Sequence, residues 1–136
     1  VTLESHLRAA GALQIALAAA HLAFPRRFNW SQELARLSLL NRQMFLVHTF
    51  FICVVLVLMG GLSLFAAQAL LEGTPLSRLV LGGFAAFWGL RLVVQWLVYD
   101  PSLWRGDRFN TMVHVVFSVL WAYLTAVYVG VLALRS

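Results

Sequence analysis

The sequence predicts an all-α integral membrane protein: a four-helix bundle, running up and down through the bilayer, as a single domain over residues 1–136. Three observations carry this. Apolar residues make up 62% of the chain and charged residues 11%, against roughly a quarter charged in soluble proteins. Residues 9–24, 44–71 and 111–134 contain no Asp, Glu or Arg, and 79–99 contains Arg91 alone. None of these stretches has the polar face that a helix in a soluble bundle turns to water.

A helix needs about 20 mainly apolar residues to cross the hydrocarbon core. The last three stretches meet that length, and the first does so if Arg8 and Glu4 snorkel outward. The first helix is expected over about 5–24 and stops at Pro25, because the residue before a proline is pushed out of helical geometry. Its run of Ala9, Ala10, Gly11, Ala12, Ala16, Ala18, Ala19 and Ala20 allows close approach of another helix. The opening VTLESHLRAAG lacks the basic, apolar, A-x-A order of a cleavable signal peptide, so this helix is expected to be retained.

An interfacial segment follows over 29–40. Asn29 with Gln32, or Ser31 alone, can cap a short helix there that carries Trp30, Leu34 and Leu37. The second helix covers about 43–71, long enough to tilt or project from the bilayer. Gly73, Thr74 and Pro75 turn the chain into a third helix over about 77–99, where Gly82, Ala86 and Gly89 form a small-residue packing face. Asp100-Pro101 ends it. Asn110 is placed as the N-cap of a fourth helix over about 110–134.

Every basic residue is Arg, and the formal net charge is +5. The arginines are dispersed at helix ends rather than clustered with exposed aromatics, which argues against nucleic acid as a partner. Arg26, Arg27, Arg36, Arg42, Arg105 and Arg108 flank one membrane face; Arg8, Arg78 and Arg135 flank the other. The positive-inside rule then makes the first face cytoplasmic and puts both termini outside, with a bacterial inner membrane as the expected setting. Cys53, the single cysteine, has no disulfide partner or CxxC context and reads as a small core residue.

NRQMFLVHTFF at the start of the second helix resembles DRFNTMVHVVF at the start of the fourth. Aligned on histidine, Arg42 matches Arg108, Val47 matches Val113, His48 matches His114 and Phe51 matches Phe117. Upstream, HLAFP resembles WLVYDP with one inserted Asp. A parallel two-helix repeat is one reading; chance likeness between apolar helices is the other.

Ionisable groups within a spanning helix are costly and point to a site or a pathway. His21 is one turn from the end of the first helix. His48 is expected roughly 8 Å into the second, His114 roughly 6 Å into the fourth, and Gln95 roughly 8 Å from the end of the third, at 1.5 Å per residue. Arg91 shares a face with Gln95 and Tyr99. All four helices thus bring a polar side chain to one layer.

Imidazole is the commonest side-chain metal ligand and also holds haem iron. In an up-down bundle the second and fourth helices are diagonal, so His48 and His114 can face each other across a haem b. Phe51, Phe117 and Trp121 would wall it, and Arg42 and Arg108 would neutralise its propionates. A small-ion version takes His21, His48 and His114 as ligands of Zn, Cu or Fe, with Asp100 or water as a fourth.

The plainer readings are packed histidines bonded to carbonyls and an interfacial His6. In these, Arg91 simply satisfies Gln95 or Asp100, and Trp30, Trp96, Trp104 and Tyr99 form an interface belt. Trp88 and Trp121 then make core or lipid contacts, and Gln14 and Gln68 are helix-contact groups. Three functions follow. The first is a small redox protein with haem b, exchanging electrons with quinone through Arg91 and Gln95 or with a partner subunit. The second is a non-haem metal-dependent membrane enzyme. The third is a non-catalytic accessory or assembly subunit of a larger membrane complex or homo-oligomer.

Overall fold

Four short polar side chains set where the chain turns helical. In the computed structural model, which describes residues 2–135, Ser38 accepts from the Asn41 N–H at 3.2 Å, Thr74 from that of Ser77 at 3.1 Å, and Asp107 from that of Asn110 at 3.1 Å. Each cap satisfies one of the four N–H groups that a helix start leaves without a carbonyl. Asp100 does the same for a single 3-10 turn, accepting from Ser102 N–H at 2.9 Å.

The elements in order are α1 Leu3–Ala20, α2 Phe24–Arg27, α3 Trp30–Glu33, α4 Leu39–Phe65, α5 Ala67–Leu70, α6 Pro75–Leu97 and α7 Arg108–Leu134. Single 3-10 turns lie at Leu34–Arg36 and Pro101–Leu103, and no strand occurs among the described residues. Helices α4, α6 and α7 are long and apolar enough to cross a membrane. An all-helical chain with three such helices has the build of a membrane protein whose apolar faces meet lipid.

Several boundaries differ from those read in the sequence. Helix α1 ends at Ala20, because Leu22 and Ala23 bond back three residues, to Ala19 and Ala20. Pro25 then sits in the first turn of α2, where its missing N–H is no loss. Helix α4 begins four residues earlier than expected, at the Ser38 cap, and stops at Phe65; Ala66 separates it from the single turn α5. Asp107 caps α7, while Asn110 lies inside the first turn and donates from Nδ2 to Leu103 O at 2.8 Å. The expected interfacial helix is one turn, α3, followed by the 3-10 turn and an extended Leu37.

The chain contacts divide into two compact units, 8–66 and 67–135 together with 2–7. Within 8–66, α1 meets α4 at a pair of glycines. A Cβ added to Gly11 would lie 2.5 Å from Gly60 O, and one added to Gly60 would lie 2.7 Å from Gly11 O. Only glycine permits this backbone approach. Leu56, Met59 and Ser63 of α4 and Ala10, Gln14, Leu17 and Ala18 of α1 are buried around it. Arg8 donates to Leu64 O at 3.0 Å, covering a carbonyl in the last turn of α4. Trp30 packs edge-on against Phe45, tying α3 to the start of α4.

The second unit has a different seam. Trp88 of α6 stacks on Trp121 of α7 with centroids 5.0 Å apart, and Phe84 meets Tyr128 edge-on at 5.3 Å. Leu81, Leu124 and Val131 fill the rest. The buried face of α6 is therefore Ser77, Leu81, Trp88 and Gln95, not the small-residue face expected at Gly82, Ala86 and Gly89. Gly82 looks onto open space, and Gly89 makes only an ordinary contact with Thr125. The chain reaches α6 through Gly73, whose φ of 73° favours glycine and whose added Cβ would lie 2.8 Å from Arg135 O. At the start of α1, His6 Nδ1 and the Tyr123 hydroxyl are hydrogen-bonded at 2.8 Å.

Candidate functional site

Arg91, Gln95 and Tyr99 recur every four residues, so the helical repeat puts them on one side of the chain. The structure uses that side. The Arg91 guanidinium donates to the Tyr99 hydroxyl at 3.3 Å and, at longer range, to Gln95 Oε1 at 3.5 Å. Its Cζ also lies 5.1 Å from the Trp121 ring centroid and 5.5 Å from that of Tyr99. A charge on a spanning helix is thus held by ring faces and neutral oxygens.

Gln95 links α6 to α7. It is buried, its Oε1 accepts from Trp121 Nε1–H at 3.2 Å, and its Nε2 meets His114 Nδ1 at 2.9 Å. Indole nitrogen and guanidinium can only donate. Two donors converging on one amide atom therefore make that atom the oxygen and leave the NH2 facing His114. The imidazole must accept at Nδ1, so the neutral ring carries its proton on Nε2.

His114 is 4% exposed. Trp104 stacks on it with centroids 3.8 Å apart and planes 12° apart, and Trp96 meets it edge-on at 4.5 Å. Within this aromatic enclosure Nε2 has no hydrogen-bond partner, and neither does the buried hydroxyl of Ser118, one turn further along α7. Leaving a buried donor unsatisfied costs about 1–3 kcal/mol, and such groups are rare enough to need an account. The two residues are four apart, on one face of α7.

Trp104 sits on the exposed segment between α6 and α7. Its carbonyl accepts from the Thr111 hydroxyl and the preceding Leu103 carbonyl from Asn110. Gly106, with φ of 79° and open space beside it, gives that segment its turn.

The other residues singled out in the sequence lie elsewhere. His48 is exposed on α4 beside exposed Val47 and Phe51. It is nine residues past Leu39, or roughly 14 Å along the helix at 1.5 Å per residue, deeper than expected because α4 starts earlier. His114 is six residues past Arg108, roughly 9 Å along. The matched segments of the faint repeat therefore differ in depth and burial.

His21 is half-buried, donates from Nδ1 to Leu17 O at 2.8 Å, and packs on Phe24. Arg42 and Arg108 occupy the first turns of α4 and α7. Asp100 pairs with the 3-10 turn rather than Arg91; hydrogen bonds from Ser102, backbone first and then side chain, hold its carboxyl below the ordinary range, with Arg105 adding a further pull. Among the described residues, no three His, Cys, Asp or Glu side chains come together as a metal-holding group.

The sequence reading reached Arg91, Gln95, Tyr99 and His114. It missed Ser118, which the i, i+4 spacing from His114 marks, and it treated Trp96 and Trp104 as an interface belt rather than the wall of the site. Trp121 was read as apolar wall, although its N–H orients Gln95.

No protein-family model, curated protein or solved structure matches the chain.

Proposed function

We propose that the chain is a small membrane redox protein whose working group binds at His114. It would cross the bilayer four times, with α1 joining the three long helices and the arginine-rich ends of α4 and α7 on the cytoplasmic side. The observation that carries the reading is the buried His114 ring, bonded at Nδ1 and unpartnered at Nε2.

The polarity of that ring favours one ligand class. A quinone-type carbonyl has two acceptor lone pairs and can take hydrogen bonds from His114 Nε2–H and the Ser118 hydroxyl, with Gln95 left as it stands. A flat ring suits the tryptophan-lined surroundings. Because Nε2 is already screened from water, binding requires the segment bearing Trp104 to shift. A haem iron or metal ion would use the same atom differently. It needs the lone pair on Nε2, hence the proton on Nδ1 and the Gln95 amide turned over. Turning that amide would set its NH2 against the Trp121 N–H.

The test is one preparation of detergent-solubilised chain, examined for extractable quinone, for absorption before and after reduction, and for metal content. Quinone in the wild type, lost in His114→Phe and Ser118→Ala, supports the proposal. The phenylalanine variant keeps an aromatic ring in the slot, so loss of ligand without loss of folding is informative. An intense visible haem band, or stoichiometric zinc, copper or iron, replaces the quinone reading with a histidine-bound one. A sample bare of all three supports an accessory subunit of a larger complex.

A further inference from the structure

The connection between α1 and α4 concentrates positive charge on an apolar surface. Residues 22–42 carry Arg26, Arg27, Arg36 and Arg42 against one acid, Glu33, and Glu33 is paired with Arg36 at 3.7 Å. Arg26 and Arg27 close the short helix α2, are exposed, and line an open depression with Leu22 and Ala23. Large apolar side chains next to them in the chain are exposed: Leu22 at 86% and Phe28 at 42%. The Arg27 guanidinium lies 5.7 Å from the Phe28 ring centroid.

Two chemistries must be satisfied together on this surface. An acidic peptide would answer the guanidinium groups and leave Leu22 and Phe28 bare. A phospholipid answers both, with acyl chains against Leu22 and Phe28 and phosphate against the arginines. Guanidinium forks match phosphate oxygens bidentately, and a juxtamembrane arginine cluster is drawn to anionic lipid. We propose that the depression formed by Leu22, Ala23, Arg26 and Arg27 binds the headgroup of an anionic phospholipid.

The test measures thermal unfolding of the full chain in neutral detergent with added phosphatidylglycerol or phosphatidylcholine. Phosphatidylglycerol is expected to raise the midpoint by about 9 °C at a hundredfold excess over its dissociation constant, and phosphatidylcholine to leave it unchanged. Arg26→Gln with Arg27→Gln should abolish the rise, while Arg105→Gln with Arg108→Gln, removing equal charge elsewhere, should retain it. Arg26→Lys with Arg27→Lys keeps the charge needed for insertion but loses the fork, and should weaken the rise. Equal loss in both glutamine pairs, or an unchanged rise in the Arg26/Arg27 pair, would overturn the proposal. So would an equal rise with inorganic phosphate alone, which marks a phosphate site without a lipid surface.

Discussion

Residues 8–66 and residues 67–135 are both made of long apolar helices, but their seams are built from opposite materials. In the first, Gly11 and Gly60 let α1 and α4 meet backbone to backbone. In the second, Trp88, Trp121, Phe84 and Tyr128 fill the space between α6 and α7. The two histidines differ in partner. His21 turns its Nδ1–H onto Leu17 O of its own turn; His114 accepts at Nδ1 from Gln95 of the neighbouring helix. A glycine seam makes a close pair with little room for side chains to converge. The aromatic seam is filled by side chains of both helices, and the polar cluster of the candidate site lies among them.

The glycine seam is the place to break first. Gly60→Ala puts a methyl 2.7 Å from Gly11 O and 2.8 Å from Ile15 Cγ1, and should cost about 3 kcal/mol by forcing the helices apart. Gly82→Ala, facing open space, should instead gain about 0.5–1 kcal/mol from helix propensity. Unfolding in detergent measures both, and equal effects would show that small residues on α4 and α6 play the same part.

The aromatic seam is sharpened by Gln95→Leu. That change strands Trp121 Nε1–H and His114 Nδ1, for an expected loss of about 2 kcal/mol. Combined with His114→Phe the loss should be smaller than the sum, as expected for groups in one network. Thr49→Val in the other region removes only a bond to Phe45 O of its own helix and should stay within about 0.5 kcal/mol. Additive effects of Gln95→Leu and His114→Phe would sink the network.

The smallest effect concerns pH. Asp100 has its carboxyl held below the ordinary value of 3.8, chiefly by the Ser102 N–H. A depressed carboxyl contributes stability above its unfolded value, lost as pH falls through the lower folded one. The Ser102 amide resonance should therefore hold steady from neutral pH to about 4 and move only in stronger acid. Movement above that would mean that the Asp100 cap is not formed in solution.

Much of the fold was legible because a bilayer-spanning helix needs a long uncharged run, and Thr74 with Pro75 marks a helix start by its own chemistry. The break at Ala66 was not, since neither glycine nor proline stands at 65–67 to announce it. Small-residue runs at Ala9–Gly11 and Gly82–Gly89 looked alike in sequence, yet only Gly11 finds a backbone to meet. Spacing states which face is small and not which face is met. In the site, Arg91, Gln95 and Tyr99 were legible from helical period. Trp104 on His114 was not, because the stack depends on how an irregular ten-residue connection returns over α7. The paired ArgxxxxxHis segments promised equal surroundings, and burial separates them: sequence likeness carries no register against neighbouring helices.

The stack of Trp104 on His114 also makes the protein its own optical gauge. Four of the five tryptophans, at 88, 96, 104 and 121, belong to the seam or touch the imidazole. Replacing Trp30 by Phe would leave tryptophan emission that originates wholly from that neighbourhood. Occupancy by any flat, light-absorbing guest then registers as dimming, with no dye attached.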